Sequence, residues 1–379
     1  MAAETLPKLL SRSLYLFGVY VEDNDTVVSI ETIKAKNLSK RSQPFWISIE
    51  MVFSHLFFVF ASVYGGLGNE SWPFLISGTL DLFGFVLAKD SFYVRIIRIK
   101  EAIRSLNLFP VHVHNATKRR NALLINTMIM IAFFFAVVYI TYVFVVFKPE
   151  NIIWEQTTNY ILIRLSTAFK IVFWLFYVWY VYVGIPIFIC LFVFMCLHIN
   201  AKLQAIHQKL EFMLKHKTCH ISRIHKQRKK FCYLQKLSSE INTIFTEIIF
   251  FWLLKIVFRC CTSMFDLVRN SWTGDDLSFQ GIILLDVIFD ITHLLIMCIF
   301  AAKIVESKFH SLETLTSLML FDQPCNENHL QELNLFLSIL GHSNIGMTAF
   351  DFILLNKNLA LSVSGIIGSY SIIIYQISN

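Results

Sequence analysis

Long apolar runs alternate along the chain with short polar connections and longer basic ones, and this alternation predicts seven membrane-crossing helices. A hydrocarbon core takes about 20 apolar residues per helix. That places spans at roughly 47–66, 73–88, 121–147, 165–197, 243–267, 281–302 and 359–377. The second is the shortest and carries Asp81. The third and fourth exceed the bilayer core and should tilt or project beyond it. Gly184 and Pro186 fall inside the fourth, where proline removes a backbone hydrogen bond and predicts a kink. Barrel strands would show alternating segments of about ten residues, and continuous apolar runs stand here instead. The predicted fold class is all-α and polytopic.

Outside the spans, Leu203, Ile206, Leu210 and Leu214 recur at helical spacing. Leu312, Leu315 and Met319 do the same after the sixth span, followed by Leu330, Leu333 and Leu337. Such amphipathic helices need a partner face, either within their own subunit or in an assembly domain shared between subunits. The resulting organisation is an N-terminal segment (1–45), six spans (46–302) with a long connection at 198–241, anchor helices (303–345) and a final segment (346–379).

Composition agrees with the pattern: 56% of residues are hydrophobic and 16% charged, against about 25% charged in soluble domains. Charge then sets the orientation. The N-terminal segment, 89–120, 198–241 and 303–357 together hold 27 of the 33 Lys and Arg residues, including Arg228-Lys229-Lys230. The alternate connections carry only Lys148, Arg164 and Arg269. By the positive-inside rule the N-terminus is cytosolic and the C-terminus extracellular, in a multi-pass protein of the plasma membrane. A G-protein-coupled receptor has the opposite orientation, and neither an Asp/Glu-Arg-Tyr nor an Asn-Pro-x-x-Tyr motif occurs where that reading needs one. The first 45 residues contain no cleavable apolar region.

Little soluble chemistry is encoded. There is no P-loop, HExxH or dinucleotide fingerprint, and Gly341-His342-Ser343-Asn344-Ile345-Gly346 misses the GxSxG spacing by one residue. His216, Cys219, His220 and His225 lack a paired ligand frame, so neither a metal nor a cofactor is expected. The eight cysteines lie in spans or cytosolic stretches and should be reduced thiols. The basic run of 198–241 suits anionic lipid headgroups, not nucleic acid. Asn69-Glu70-Ser71 is a glycosylation sequon in a very short outer loop.

Charged groups within spans are candidates for function. Asp286, Asp290 and His293 share a face of the sixth span. Lys170 and Trp174 in the fourth and Arg259 in the fifth lie at similar depth, with Trp179 and Tyr180 nearer mid-membrane. One reading is a ligand pocket, a polar floor beneath aromatic walls. The other is an ion pair, such as Arg259 with Asp286, that serves folding alone. Asp81, Glu247 and Lys255 lie deeper and suggest structural pairing.

On the last helix, Ser362, Gly365, Ser369 and Gln376 fall on one face with Ile372 and Ile373 between. A glutamine in lipid is costly without water or a partner. The stripe therefore lines either an aqueous pore or a small-residue helix contact. Ser369-Tyr370-Ser371-Ile372-Ile373-Ile374-Tyr375-Gln376-Ile377 resembles the Thr-Tyr-hydrophobic₅-Gln-Phe ending of insect gustatory receptors. Gly346-Met347-Thr348-Ala349-Phe350-Asp351-Phe352 and Asn356-Lys357-Asn358-Leu359 look like that family's approach to its last helix. Ser369 stands for the usual Thr and Ile377 for the usual Phe. The resemblance implies a homotetrameric, ligand-gated, non-selective cation channel of sensory neurons. It implies a pore and gate at Ser369, Ile373, Gln376 and Ile377, with Tyr370 as the motif tyrosine. The implied ligand is a small-molecule tastant, a sugar or a bitter compound, in an outward-facing pocket. An insect odorant receptor shares this architecture. A secondary transporter would show internal repeats, and no pairing of halves is visible.

Overall fold

The computed structural model describes residues 7, 9–12, 95–109, 113–146, 183–216, 220–273, 277–321 and 327–378. The first two expected spans, most of the fourth, Asp81 and Asn69 lie outside the described residues. Among those residues the architecture is helical: α1 (Ile96–Leu108), α2 (Asn115–Val146), α3 (Ile185–Lys215), α4 (Ile221–Thr273), α5 (Leu277–Phe321), α6 (Glu327–His342) and α7 (Lys357–Ser378). Two-residue strands, β1 (Thr348–Ala349) and β2 (Ile353–Leu354), pair antiparallel between α6 and α7.

Three of the described helices contain stretches long and apolar enough to cross a membrane: Asn115–Thr141, Ile185–Lys215 and Leu284–Leu320. They differ in what surrounds them. α3 is apolar on every side from Ile185 to Leu197, and such a helix belongs in an interior. Its apolar stretch is 94% buried, packed chiefly against α5 and also against α2 and α4. α2 turns Ile125, Ile129, Ala132 and Ala136 inward at helical spacing. Phe134, Phe135, Val137 and Val138 are exposed on its outer side, as expected of a helix facing lipid. Pro186 lies in the first turn of α3. A π-helical turn at Val183–Gly184 precedes it.

The long connection from the fourth to the fifth span is not a loop. α3 and α4 run on through it, and Leu203, Ile206 and Leu210 are buried as their spacing requires. Likewise, the stripe Leu312, Leu315 and Met319 belongs to an uninterrupted α5 of 45 residues, not to a separate helix. In α6 the buried stripe is His329, Leu333, Phe336 and Leu340, while Leu330 is exposed. The helix is thus rotated about one residue from the leucine register, because Phe336 takes the seat against Phe231 of α4 at 5.9 Å between ring centroids. α1 was not anticipated: Ile99, Ala102, Ile103 and Leu106 form a short buried stripe against α4 and α3. The salt bridge between Arg95, just before α1, and Glu247 ties that end to α4.

The hairpin joins the helical frame to α7. Asn242 of α4 donates from Nδ2 to Thr348 Oγ1 (2.8 Å) and to Asp351 Oδ1 (3.1 Å), and accepts the Thr348 N–H at 2.7 Å. Thr246 Oγ1, one turn along, accepts the Asp351 N–H at 3.3 Å. Phe350 and Asp351 both take positive φ, 49° and 60°, a conformation costly for L side chains and held only when the surroundings over-determine it. Phe250 supplies part of that restraint with its ring 4.7 Å from Phe350, edge to face. α7 then starts on a cap: Asn356 Oδ1 accepts the Leu359 N–H at 2.8 Å.

Candidate functional site

The charged candidates of the fifth and sixth spans converge. α4 and α5 are consecutive helices, and their cross-helix pairs run antiparallel. Lys255 and Arg259, one turn apart on α4, face Asp290 and Asp286, one turn apart on α5. The outer pair is Arg259 Nη2 to Asp286 Oδ2 at 2.8 Å. Arg259 Nε also reaches Asp290 Oδ2 at 3.2 Å, and Lys255 Nζ stands 3.6 Å from Asp290 Oδ1. The planar guanidinium makes this bridging possible, since its delocalised charge lies within reach of both carboxylates, the contact to Asp290 Oδ2 being an ion pair without hydrogen-bond geometry. Lys255, Arg259 and Asp290 are buried, and Asp286 retains 17% of its side-chain exposure.

Two cations and two carboxylates make the cluster neutral overall. That is how buried charge is tolerated where water is scarce. His293, one turn further along α5, is buried beside it with its ring edge-on to Phe289 at 4.1 Å. Arg259, Asp286, Asp290 and His293 are therefore brought together, while Lys170 and Trp174 lie outside the described residues. Lys255, which its depth in the sequence reading sets apart as a structural group, belongs to the same cluster. Its spacing of four from Arg259, matched to the spacing of four between the aspartates, was the available signal.

The last helix is arranged differently. Ala360, Val363 and Ile367 of α7 are buried against α4 and α5. Ser362, Gly365, Ser369, Ile373 and Gln376 are all exposed on this single chain, as are Tyr370 and Ile372. A Cβ built on Gly365 or Gly368 meets nothing within 4 Å. The small residues of α7 therefore admit no close helix neighbour within the described part of the chain. The Ile377 side chain lies outside the described residues.

In the anchor region, His225 joins a local network. It and Arg228 converge on Glu332 of α6, with Arg228 Nε donating to Glu332 Oε1 at 2.7 Å and His225 Nδ1 at 3.0 Å from the same oxygen. Burial alone would raise the Glu332 pKa, but the bonds and charges of Arg228 and His225 outweigh it and hold the carboxyl below its ordinary value.

The sequence model of a family described as 7tm Chemosensory receptor matches residues 95–378. In fold, the chain is similar to the insect olfactory receptor OR5 from Machilis hrabei, with a TM-score of 0.73 at 10% identity over 98% of this chain and 97% of that one. The same receptor in complex with eugenol gives 0.72 at 11% identity, with the same coverage of both chains. No curated protein matches. The helical, multi-pass architecture expected from the apolar runs is the architecture these similarities carry.

Proposed function

Since the chain belongs to the 7tm chemosensory receptor family, we propose that it is an insect gustatory receptor, a non-selective cation channel opened by a small-molecule tastant. The observation that carries this reading is the face of α7 (Ser362, Gly365, Ser369, Ile373 and Gln376), which is exposed with no neighbour among the described residues and yet ends in a strongly polar amide. Lipid is a poor environment for that amide. A fourfold arrangement around an aqueous axis satisfies it, and four copies of Ile373 and Ile377 beside it supply an apolar constriction that blocks ions by dewetting. The N-terminus lies in the cytosol on this reading, and the charge asymmetry of the connections supports that.

The ligand enters from outside and meets the Arg259–Asp286–Asp290–His293 cluster, with Lys170 and Trp174 as further walls. A ligand that binds the open state more tightly shifts the closed–open equilibrium. The likeness in fold to an olfactory receptor favours a second reading, an odorant receptor. The Tyr370–Gln376 ending and the charged floor favour a sugar or bitter tastant over a volatile one.

Patch-clamp recording tests the pore. Ile377→Ala should leak without ligand, and Gln376→Ala should alter conductance or gating at wild-type surface levels. Normally gated currents from both variants would remove α7 from the pore. Calcium imaging of cells expressing this chain alone, challenged with sugars, bitter compounds and volatiles, separates the two receptor classes.

A further inference from the structure

A second polar site lies between the C-terminal part of α3 and the first turns of α4. A cavity of about 420 Å³ opens there, lined by Ala205, Gln208, Lys209, Phe212, Met213, Arg223, Lys226 and Gln227. Its rim is cationic: Lys209 from α3 and Arg223 and Lys226 from α4 are exposed, and no carboxylate lines it among the described residues. Among the described residues none of these three forms an ion pair. Lys230, one turn beyond Lys226, is half-buried. Its pKa is pushed down by burial first and then by the charges of Lys209 and Lys226, so the cations crowd one another without compensation. Gln227 lies in the lining at 7% exposure, and its Oε1 has no hydrogen-bond partner among the described residues. An unmet amide in a buried wall is an expensive feature unless a ligand engages it. The amide can present its N–H₂ by a half-turn.

We propose that this cavity binds a soluble organic polyphosphate, an anion of the inositol polyphosphate class. Phosphate groups meet the Lys209, Arg223 and Lys226 side chains, Gln227 donates to one phosphate oxygen, and the carbon frame rests on Phe212 and Met213. The volume falls in the range of small-ligand sites and is too small for a folded partner. Distance selects against a membrane lipid headgroup. Lys226 precedes the fifth apolar span by 17 residues of continuous helix, about 25 Å along its axis, whereas headgroups extend only about 5–8 Å beyond the hydrocarbon. The inference rests on the orientation proposed above only in taking its ligand from the cytosol, and it is independent of which tastant opens the channel.

Isothermal titration of inositol hexakisphosphate into the full-length receptor, held in nanodiscs of neutral lipid, tests this directly. Saturable binding that weakens with added salt is expected, together with a rise in unfolding temperature by linkage. Lys209→Ala/Arg223→Ala/Lys226→Ala should weaken binding about tenfold or more. The charge-preserving Lys209→Arg/Lys226→Arg should retain binding, and Lys229→Ala, off the cavity, should leave it unchanged. Equal loss in Lys229→Ala would mean diffuse attraction to a basic surface and would overturn the site. So would the absence of saturable binding, or a triple variant that binds as wild type. A response to phosphatidylinositol bisphosphate in the nanodisc without one to the soluble probe would assign the cations to lipid instead and refute the proposal.

Discussion

Replacing Arg259 with methionine removes the one group that, among the described residues, is shown to touch both aspartates of the α4–α5 cluster. Four charges then become three. Asp290 keeps Lys255 at 3.6 Å, but Asp286 loses its 2.8 Å partner and the cluster carries a net negative charge. Hydrogen bonds between membrane helices average only about 0.6 kcal/mol, so the lost bonds are not the main cost. The uncompensated buried charge is, and breaking such a pair costs about 3–5 kcal/mol. Asp286 retains some exposure, through which water can relieve part of the strain, so the expected loss is near the lower bound, about 3 kcal/mol.

Neutrality makes the argument testable, because Arg259→Met/Asp286→Asn leaves Lys255 and Asp290 as a balanced pair. The double variant should recover more than half of the loss. Surface labelling and fluorescence-detected unfolding of the purified receptor read both. If Arg259→Met unfolds with wild-type stability, or Asp286→Asn rescues nothing, charge balance is not what holds these helices together. A simple exchange of Arg259 with Asp286 is a poorer probe, since it sets an aspartate at 259 against Asp290.

Three further outcomes are expected. Leu333→Ala, deep under α6, should cost about 2–5 kcal/mol by leaving a cavity, whereas Leu330→Ala on the exposed side should fall within about 0.5 kcal/mol; comparable unfolding midpoints for the two would refute the register of α6. Asn242→Ala strips three hydrogen bonds from the hairpin and leaves the Thr348 N–H unmet, for about 1–3 kcal/mol; faster proteolysis between α6 and α7 should report it, and unchanged cleavage would show that the hairpin holds itself. Glu332 has a depressed pKa in the folded state, so its contribution is fully present above its ordinary value of 4.5 and disappears as pH falls through the lower folded value. Unfolding midpoints recorded downward from pH 6 should therefore drop below about pH 4.5 in wild type and less steeply in Glu332→Gln; parallel curves would place the acid sensitivity elsewhere.

The sequence was most informative where one physical demand dominates. Apolar runs long enough to cross a bilayer have few alternatives, so α2, α3 and α5 carry such stretches where the apolar runs lie, and α4 and α7 cover the fifth and seventh runs. The pairing of Arg259 with Asp286 was legible for a related reason: a charge at membrane depth must find its opposite, and few candidates exist. Lys255 was harder to assign, because which carboxylate a cation meets depends on the antiparallel register of two helices. α1 escaped notice because its stripe of Ile99, Ala102, Ile103 and Leu106 is only two turns long and lies among basic residues that dominated the count. In α6 three leucines suggested one face, yet the aromatic Phe336 has more surface to bury than Leu330 and decided the rotation. The hairpin of Thr348 to Leu354 left little usable signal, since positive φ at Phe350 runs against that residue's preference and a lone aspartate, which tolerates it, does not mark a turn.

α4 is 53 residues long and unbroken, a rod of about 80 Å. Arg259 sits about 25 Å up that rod from Asn242, and Asn242 grips the hairpin from which α7 departs. A stiff rod converts rotation at one point into translation at another in proportion to the distance between them. A tilt of about 5° pivoting at Arg259 sweeps Asn242 through about 2 Å over that length, more than its hydrogen bonds to Thr348 and Asp351 tolerate without carrying the hairpin along. Leverage of this kind needs no chain of side-chain rearrangements between the charged cluster and the start of α7, only a helix too rigid to absorb the motion in between.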